Sequence, residues 1–160
     1  MDIEKKKHKH ILFVCTGNTC RSPMAAAIFN HFAEQAKQLD LFAVSAGMAT
    51  ESGLPVSPEA KDVLTELGIN LEDHRSRQLD EKMIKDAYIV LTMTTTQRDL
   101  LHIYYPKTAD KVFTLYEFID EEGDITDPFG RDIDIYRDAA EKLVNAMPKV
   151  IQKLTEQSQL

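Results

Sequence analysis

The segment HILFVCTGNTCRSP, residues 10–23, decides how the chain folds. Its first five residues are mostly apolar and partly β-branched, the composition of a short buried strand. They run without a break into the polar loop CTGNTCR, residues 15–21. Ser22 then offers a helix N-cap and Pro23 the first helical position. Ala25, Ile28, Phe29, Phe32 and Ala36 follow at helical spacing, so one face of that helix is expected to pack on something apolar. Strand, loop and helix in this order begin a crossover unit, and the loop holds both cysteines of the chain.

The alternation continues downstream. FAVSAG reads as a second strand; Ser57 and Pro58 start a helix carrying Ala60, Val63, Leu64 and Leu67, which Gly68 stops. DEKMIKDA is a short helix and YIVLTM a buried strand. Thr94 and Gln97 suit a capping box for a helix through RDLLHIYY, in which Tyr104 and Tyr105 read as partly buried. KVFTL supplies a fourth strand. The irregular acidic segment DEEGDITDPFGRD then leads to a long last helix with Ile135, Ala139, Leu143, Met147, Val150 and Leu154 along one stripe, which Pro148 is expected to kink or break. Strands alternating with helices imply parallel pairing through right-handed crossovers, hence a three-layer α/β sandwich around a four-stranded parallel sheet. Ligands of such sheets collect at the carboxyl ends of the strands, where the loop 15–21 lies.

Bulk properties narrow the function. A length of 160 residues suits one domain, expected over residues 10–160 after a flexible basic tail at 1–9. The longest apolar runs are strand-sized and no signal-peptide core follows the tail, so a cytoplasmic protein without a membrane partner is expected. A net charge of −7 disfavours nucleic acid, which needs a basic face to displace counterions.

Two cysteines five positions apart admit three readings: a disulfide, half of a metal site, or a reactive thiolate. A permanent bridge closing so small a ring in a cytoplasmic chain contributes little. A zinc site needs about four ligands, and His31, His74 and His102 lie scattered. The thiolate fits the surroundings better. A loop between a strand and a helix N-terminus can turn backbone N–H groups inward as an anion nest, reinforced by the helix dipole. Gly17 and Asn18 tolerate the left-handed conformations such a nest uses, and Arg21 offers a planar partner for two phosphate oxygens. The same field stabilises a thiolate at Cys15, since helix N-termini and cations bring cysteine pKa values down to roughly 3.5–7.5.

With these residues in place the chain resembles the low-molecular-weight protein tyrosine phosphatases. CTGNTCRSP matches that family's signature of Cys, five residues, Arg-Ser-Pro, and SAG at 45–47, HRSRQL at 74–79 and DPFG at 127–130 fall where the family has comparable segments. The resemblance implies the family's flavodoxin-like architecture and a phosphocysteine intermediate. It implies a phosphate-binding loop of Thr16, Gly17, Asn18, Thr19, Cys20, Arg21 and Ser22, with Cys15 as nucleophile, Arg21 as oxyanion clamp and Ser22 donating to the thiolate. Asp127 would be general acid and then base, brought up by a mobile loop at 120–127. Asn18, Ser45 and His74 would hold the loop in shape, and Cys20 would close a reversible disulfide with Cys15 under oxidant. No cofactor or metal is implied. The implied partner is a phosphorylated protein, with phosphate or another oxyanion in the loop of an expected monomer.

Departures from the tyrosine-specific pattern set the substrate expectation. Phe129 stands alone before Gly130 where eukaryotic members carry two aromatics, and Thr19 replaces a bulky aliphatic residue. Both features resemble the bacterial branch containing protein arginine phosphatases. A hydroxyl at Thr19 can hydrogen-bond a guanidinium, so phosphoarginine is the expected substrate and phosphotyrosine the alternative. Arsenate reduction would need cysteines after Cys20, and the chain has none. A non-catalytic phosphoprotein-binding module would not need both Cys15 and Asp127.

Overall fold

The computed structural model describes residues 10–36 and 40–158. The basic tail expected over residues 1–9 lies outside the described residues. Strands β1 (His10–Cys15), β2 (Phe42–Gly47), β3 (Ile89–Thr92) and β4 (Val112–Thr114) form one parallel sheet in the order β2-β1-β3-β4. Cys15 stands opposite Gly47 and Val14 opposite Thr92, so the ends of three strands meet at one rim. The order reverses around β1, which opens a crevice beyond the carboxyl ends of β1 and β3.

Alternation along β1 feeds two cores. Ile11 and Phe13 join the larger cluster with Met24, Phe29, Leu64, Leu143 and Met147, while Leu12 and Val14 join Ile84, Val90 and Leu101 on the other face. The larger side is covered by α1 (Arg21–Gln35), α2 (Pro58–Glu66) and α6 (Ile133–Ser158), the smaller by α3 (Glu81–Asp86) and α4 (Thr95–Tyr104). Three layers result. Burying a side chain such as Phe13 or Phe29 completely stabilises the fold by roughly 1.5–3 kcal/mol. Among the described residues no helix is long and apolar enough to cross a membrane.

Two of the expected helix starts are formed by the residues named for them. Ser57 caps α2, its oxygen accepting from the Ala60 N–H with Pro58 at the first position, and Thr94 with Gln97 forms the expected capping box of α4. A second box, Thr114 with Glu117, starts the short helix α5 (Leu115–Phe118) and ends β4 at Thr114, one residue before the run KVFTL does.

Four expectations need correction. Helix α1 begins at Arg21, with Cys20 at its cap position and no side-chain cap bond; Ser22 lies inside the helix because its hydroxyl is engaged by the cysteine loop. The inner stripe of α6 starts at Tyr136 rather than at Ile135, which is only half-buried. Pro148 does not break α6: Met147, Val150, Ile151 and Leu154 are buried around it, and that packing outweighs one missing N–H bond. Tyr104 is not partly buried but 65% exposed, at the C-terminal end of α4.

Candidate active site

Cys15 ends β1, and its loop doubles back so that the chain enters α1 directly behind the sulfur. The Asn18 N–H donates to Cys15 Sγ at 3.3 Å, and Ser22 Oγ lies 2.9 Å from the same sulfur. Asn18 is buried with φ +56°, the left-handed conformation that asparagine tolerates better than most side chains. The Arg77 backbone N–H donates to Asn18 Oδ1 at 2.9 Å, which fixes the amide orientation. Asn18 Nδ2 therefore donates to Ser22 Oγ at 2.8 Å and to Ser45 Oγ at 2.9 Å. With its oxygen engaged in this way, Ser22 keeps its own hydrogen for the sulfur. His74 Nε2 donates to the Asn18 carbonyl at 2.8 Å, so Asn18, Ser45 and His74 form one hydrogen-bonded group. Burial pushes the His74 pKa below its ordinary value of 6.5, against the Asn18 hydrogen bond and with the nearby charges of Arg75 and Arg77. That shift favours the neutral form of the ring that braces the loop.

The buried Arg21 guanidinium donates from Nη1 to the Ile125 carbonyl at 3.0 Å, and Nη2 lies 3.5 Å from Asp127 Oδ2. Its Nε is buried with no hydrogen-bond partner among the described residues, a costly arrangement for a charged donor. Asp127 is 54% exposed, and its Oδ1 accepts the Phe129 N–H at 3.0 Å, an Asx turn that fixes the carboxylate above the arginine. Phe129 itself is 69% exposed. Thr16, Thr19, Arg21, Glu59, Asp127 and Phe129 all line one cavity of about 710 Å³ with Cys15 at its floor. Among the described residues no three His, Cys, Asp or Glu side chains gather as a metal-ligand set.

The thiols of Cys15 and Cys20 are both free and buried; Cys20 donates to Ser57 Oγ at 3.4 Å and lies 3.6 Å from the Tyr136 hydroxyl. Burial, and then the contact with Cys20, push the Tyr136 phenol up to about 12, so it remains protonated.

Some supporting contacts, among them that of the capping residue Gln97 with the loop, carried no local signal. Gln97 accepts from the Met93 and Thr94 N–H groups and donates from Nε2 to Thr16 Oγ1 at 3.1 Å, tying α4 to the loop. Gly17, expected to be left-handed, is not; Asn18 alone supplies the positive φ in the loop. The glycine the loop needs is Gly47 on β2. A Cβ there would lie 2.9 Å from both the Thr16 carbonyl oxygen and Asn18 Cβ, whereas one at Gly17 would meet only Thr19 Oγ1 at 3.7 Å. Gly47→Ala is therefore expected to destabilise the fold by about 1–3 kcal/mol through overpacking and to lower kcat by about tenfold or more as the loop shifts. Gly17→Ala should leave the melting temperature nearly unchanged. Thermal unfolding and steady-state rates of the two variants check this; equal behaviour would contradict the packing account.

Comparison with known proteins agrees with this geometry. Residues 10–160 match the family described as low molecular weight phosphotyrosine protein phosphatase. A protein-arginine-phosphatase of Geobacillus stearothermophilus is 46% identical over 150 residues, covering 92% of this chain and 97% of that protein. The crystal structure of a low molecular weight protein tyrosine phosphatase from T. tengcongensis superposes with a TM-score of 0.85 at 46% identity, covering 90% of this chain and 98% of the other. A variant of the YwlE arginine phosphatase with a phosphorylated active site serine superposes at 0.87 with 37% identity, covering 91% and 95%. A thiol cradled by Asn18 and Ser22, a buried arginine beside it and a match over nearly the whole chain lead to one assignment: the chain belongs to the low molecular weight phosphotyrosine protein phosphatase family and is a hydrolase of that kind.

Proposed function

We propose that the chain removes phosphate from phosphoarginine in proteins through a phosphocysteine at Cys15. The Cys15 thiolate attacks phosphorus in line with the departing group, and Arg21 meets the equatorial oxygens with Nε and Nη2. The unpartnered Nε is the observation that carries the oxyanion site, because a buried cationic donor is satisfied by a phosphoryl oxygen. As the P–N bond breaks, Asp127 gives its proton to the departing guanidine nitrogen. In the second half the Asp127 carboxylate takes a proton from water, the water oxygen bonds to phosphorus, and the P–S bond breaks with its electron pair returning to Cys15. The Ser22 hydroxyl, left free to donate by Asn18, stabilises that returning thiolate. His74 and Ser45 act through Asn18 as positioning residues.

The charge of the cavity supports the guanidinium reading. Among the described lining residues Glu59 is the carboxylate left beside the proton-donating Asp127, and Arg21 is the cation, which is reserved for the phosphoryl oxygens. A leaving group that stays cationic suits such a wall better than a neutral phenol does, and the Thr19 hydroxyl adds an acceptor there. The arginine phosphatase from Geobacillus stearothermophilus points the same way. Phosphotyrosine is the second reading, favoured by the exposed Phe129 and Leu54 at the cavity, which would flank a phenol ring. The deciding experiment is kcat/KM on peptides identical except for phosphoarginine or phosphotyrosine. Wild type is expected to prefer phosphoarginine, and Thr19→Ile to shift the ratio toward phosphotyrosine by about tenfold, the worth of one good polar contact. A wild-type preference for phosphotyrosine would replace the substrate reading, and an unmoved ratio would remove Thr19 from it.

A further inference from the structure

We propose that a groove on the α4 side of the cysteine loop holds the substrate's polypeptide next to its phosphorylated residue. This groove, about 380 Å³, shares Thr16 and Arg21 with the catalytic cavity and is otherwise walled by residues including Met48, Gln97, Leu100 and Tyr104. Thr16 and Arg21 thus border both hollows, so a chain whose phosphorylated side chain enters the first can continue into the second. The inference rests on the phosphatase reading and not on which phosphorylated residue is hydrolysed.

The chemistry of the walls suits an extended peptide. Leu100 and Tyr104, one turn apart on α4, present apolar surface together with Met48, and the hydroxyls of Thr94 and Thr96 offer partners for main-chain amides. Methionine adapts its shape to varied side chains. Single exposed apolar residues need no explanation, but here they collect at the site. Of the seven exposed large apolar side chains among the described residues, Leu54 and Phe129 line the catalytic cavity and Tyr104 lines the groove. The groove is also held in register with the reacting atoms. Gln97, buried in its wall, bonds the Thr16 hydroxyl, so a peptide seated on α4 is placed relative to the loop that grips phosphate.

Ile103 supplies an internal control. It is 70% exposed and adjacent to Tyr104, yet it does not line the groove. The experiment compares wild type, Tyr104→Ala and Ile103→Ala on para-nitrophenyl phosphate and on two peptides with the same flanking sequence, one carrying phosphoarginine and the other phosphotyrosine. Tyr104→Ala is expected to raise KM on whichever peptides are turned over by about five- to tenfold, the worth of one buried aromatic contact, and to leave the aryl phosphate unaffected. Ile103→Ala is expected to change neither, and both variants should melt with wild type. Wild-type KM on the peptides in Tyr104→Ala, or an equal loss on the aryl phosphate, would overturn the groove. A wild type that ignores the phosphoarginine peptide would instead overturn the substrate reading, and the phosphotyrosine peptide would still test the groove.

Discussion

Cys15→Ser is expected to abolish turnover, lowering kcat by about 10⁴-fold or more, while leaving the fold and oxyanion binding intact. The reason lies in the attacking atom. Sulfur is intrinsically a far stronger nucleophile than a serine oxygen, and the Asn18 N–H and the Ser22 hydroxyl aim their hydrogen bonds at it. Oxygen is close in size to sulfur, so the loop should keep its shape, and Arg21 and the loop N–H groups should still hold phosphate. Residual turnover measured beside phosphate binding by calorimetry separates the two roles. Activity within tenfold of wild type would place the nucleophile elsewhere, and loss of phosphate binding would show that the sulfur holds the loop together.

Asp127→Asn should cost about 10²- to 10⁴-fold in kcat, by an amount that depends on the leaving group. The amide oxygen can still accept the Phe129 N–H, so the turn above Arg21 survives while the transferable proton is lost. A guanidine nitrogen must be protonated to leave, whereas para-nitrophenolate leaves readily as an anion. The loss is therefore expected to be largest on phosphoarginine and smallest on the activated aryl ester, with KM little changed. Equal losses on both substrates would mean that Asp127 places the substrate and does not move a proton.

Much of this molecule can be read from its letters because local chemistry and global fold agree along most of the chain. The four strands, the caps at Ser57 and Thr94, and the line from Cys15 through Arg21 to Asp127 all follow from short-range patterns or from motifs. Ser22 misled because two demands fall on one hydroxyl: beside Pro23 it has the form of a helix cap, yet Asn18 and Cys15 claim it. Gly47 stayed hidden because its constraint is the nearness of Thr16 and Asn18, some thirty residues earlier. Arg77 contributes a backbone N–H, which every residue type but proline possesses, and Ile125 a carbonyl, which every residue type possesses, so no letter could mark them. Tyr136 was legible in retrospect: with Ala139, Ala140 and Leu143 it keeps helical spacing better than Ile135 does.

The contacts of Arg21 and Cys20 also set a timetable. The carbonyl that orients Arg21 is 104 residues downstream, and the phenol beside Cys20 is 116 residues downstream, on the last helix. Closing spans of that length comes late, because their chain entropy must be overcome before the contacts return anything. A ribosome that has delivered β1, its loop and α1 has thus made every atom of the phosphate cradle without the contacts that orient Arg21 and enclose Cys20. The order in which the chain is made is thus also the order in which the site matures, with the orientation of Arg21 waiting for Ile125 and the setting of Cys20 for α6 to dock.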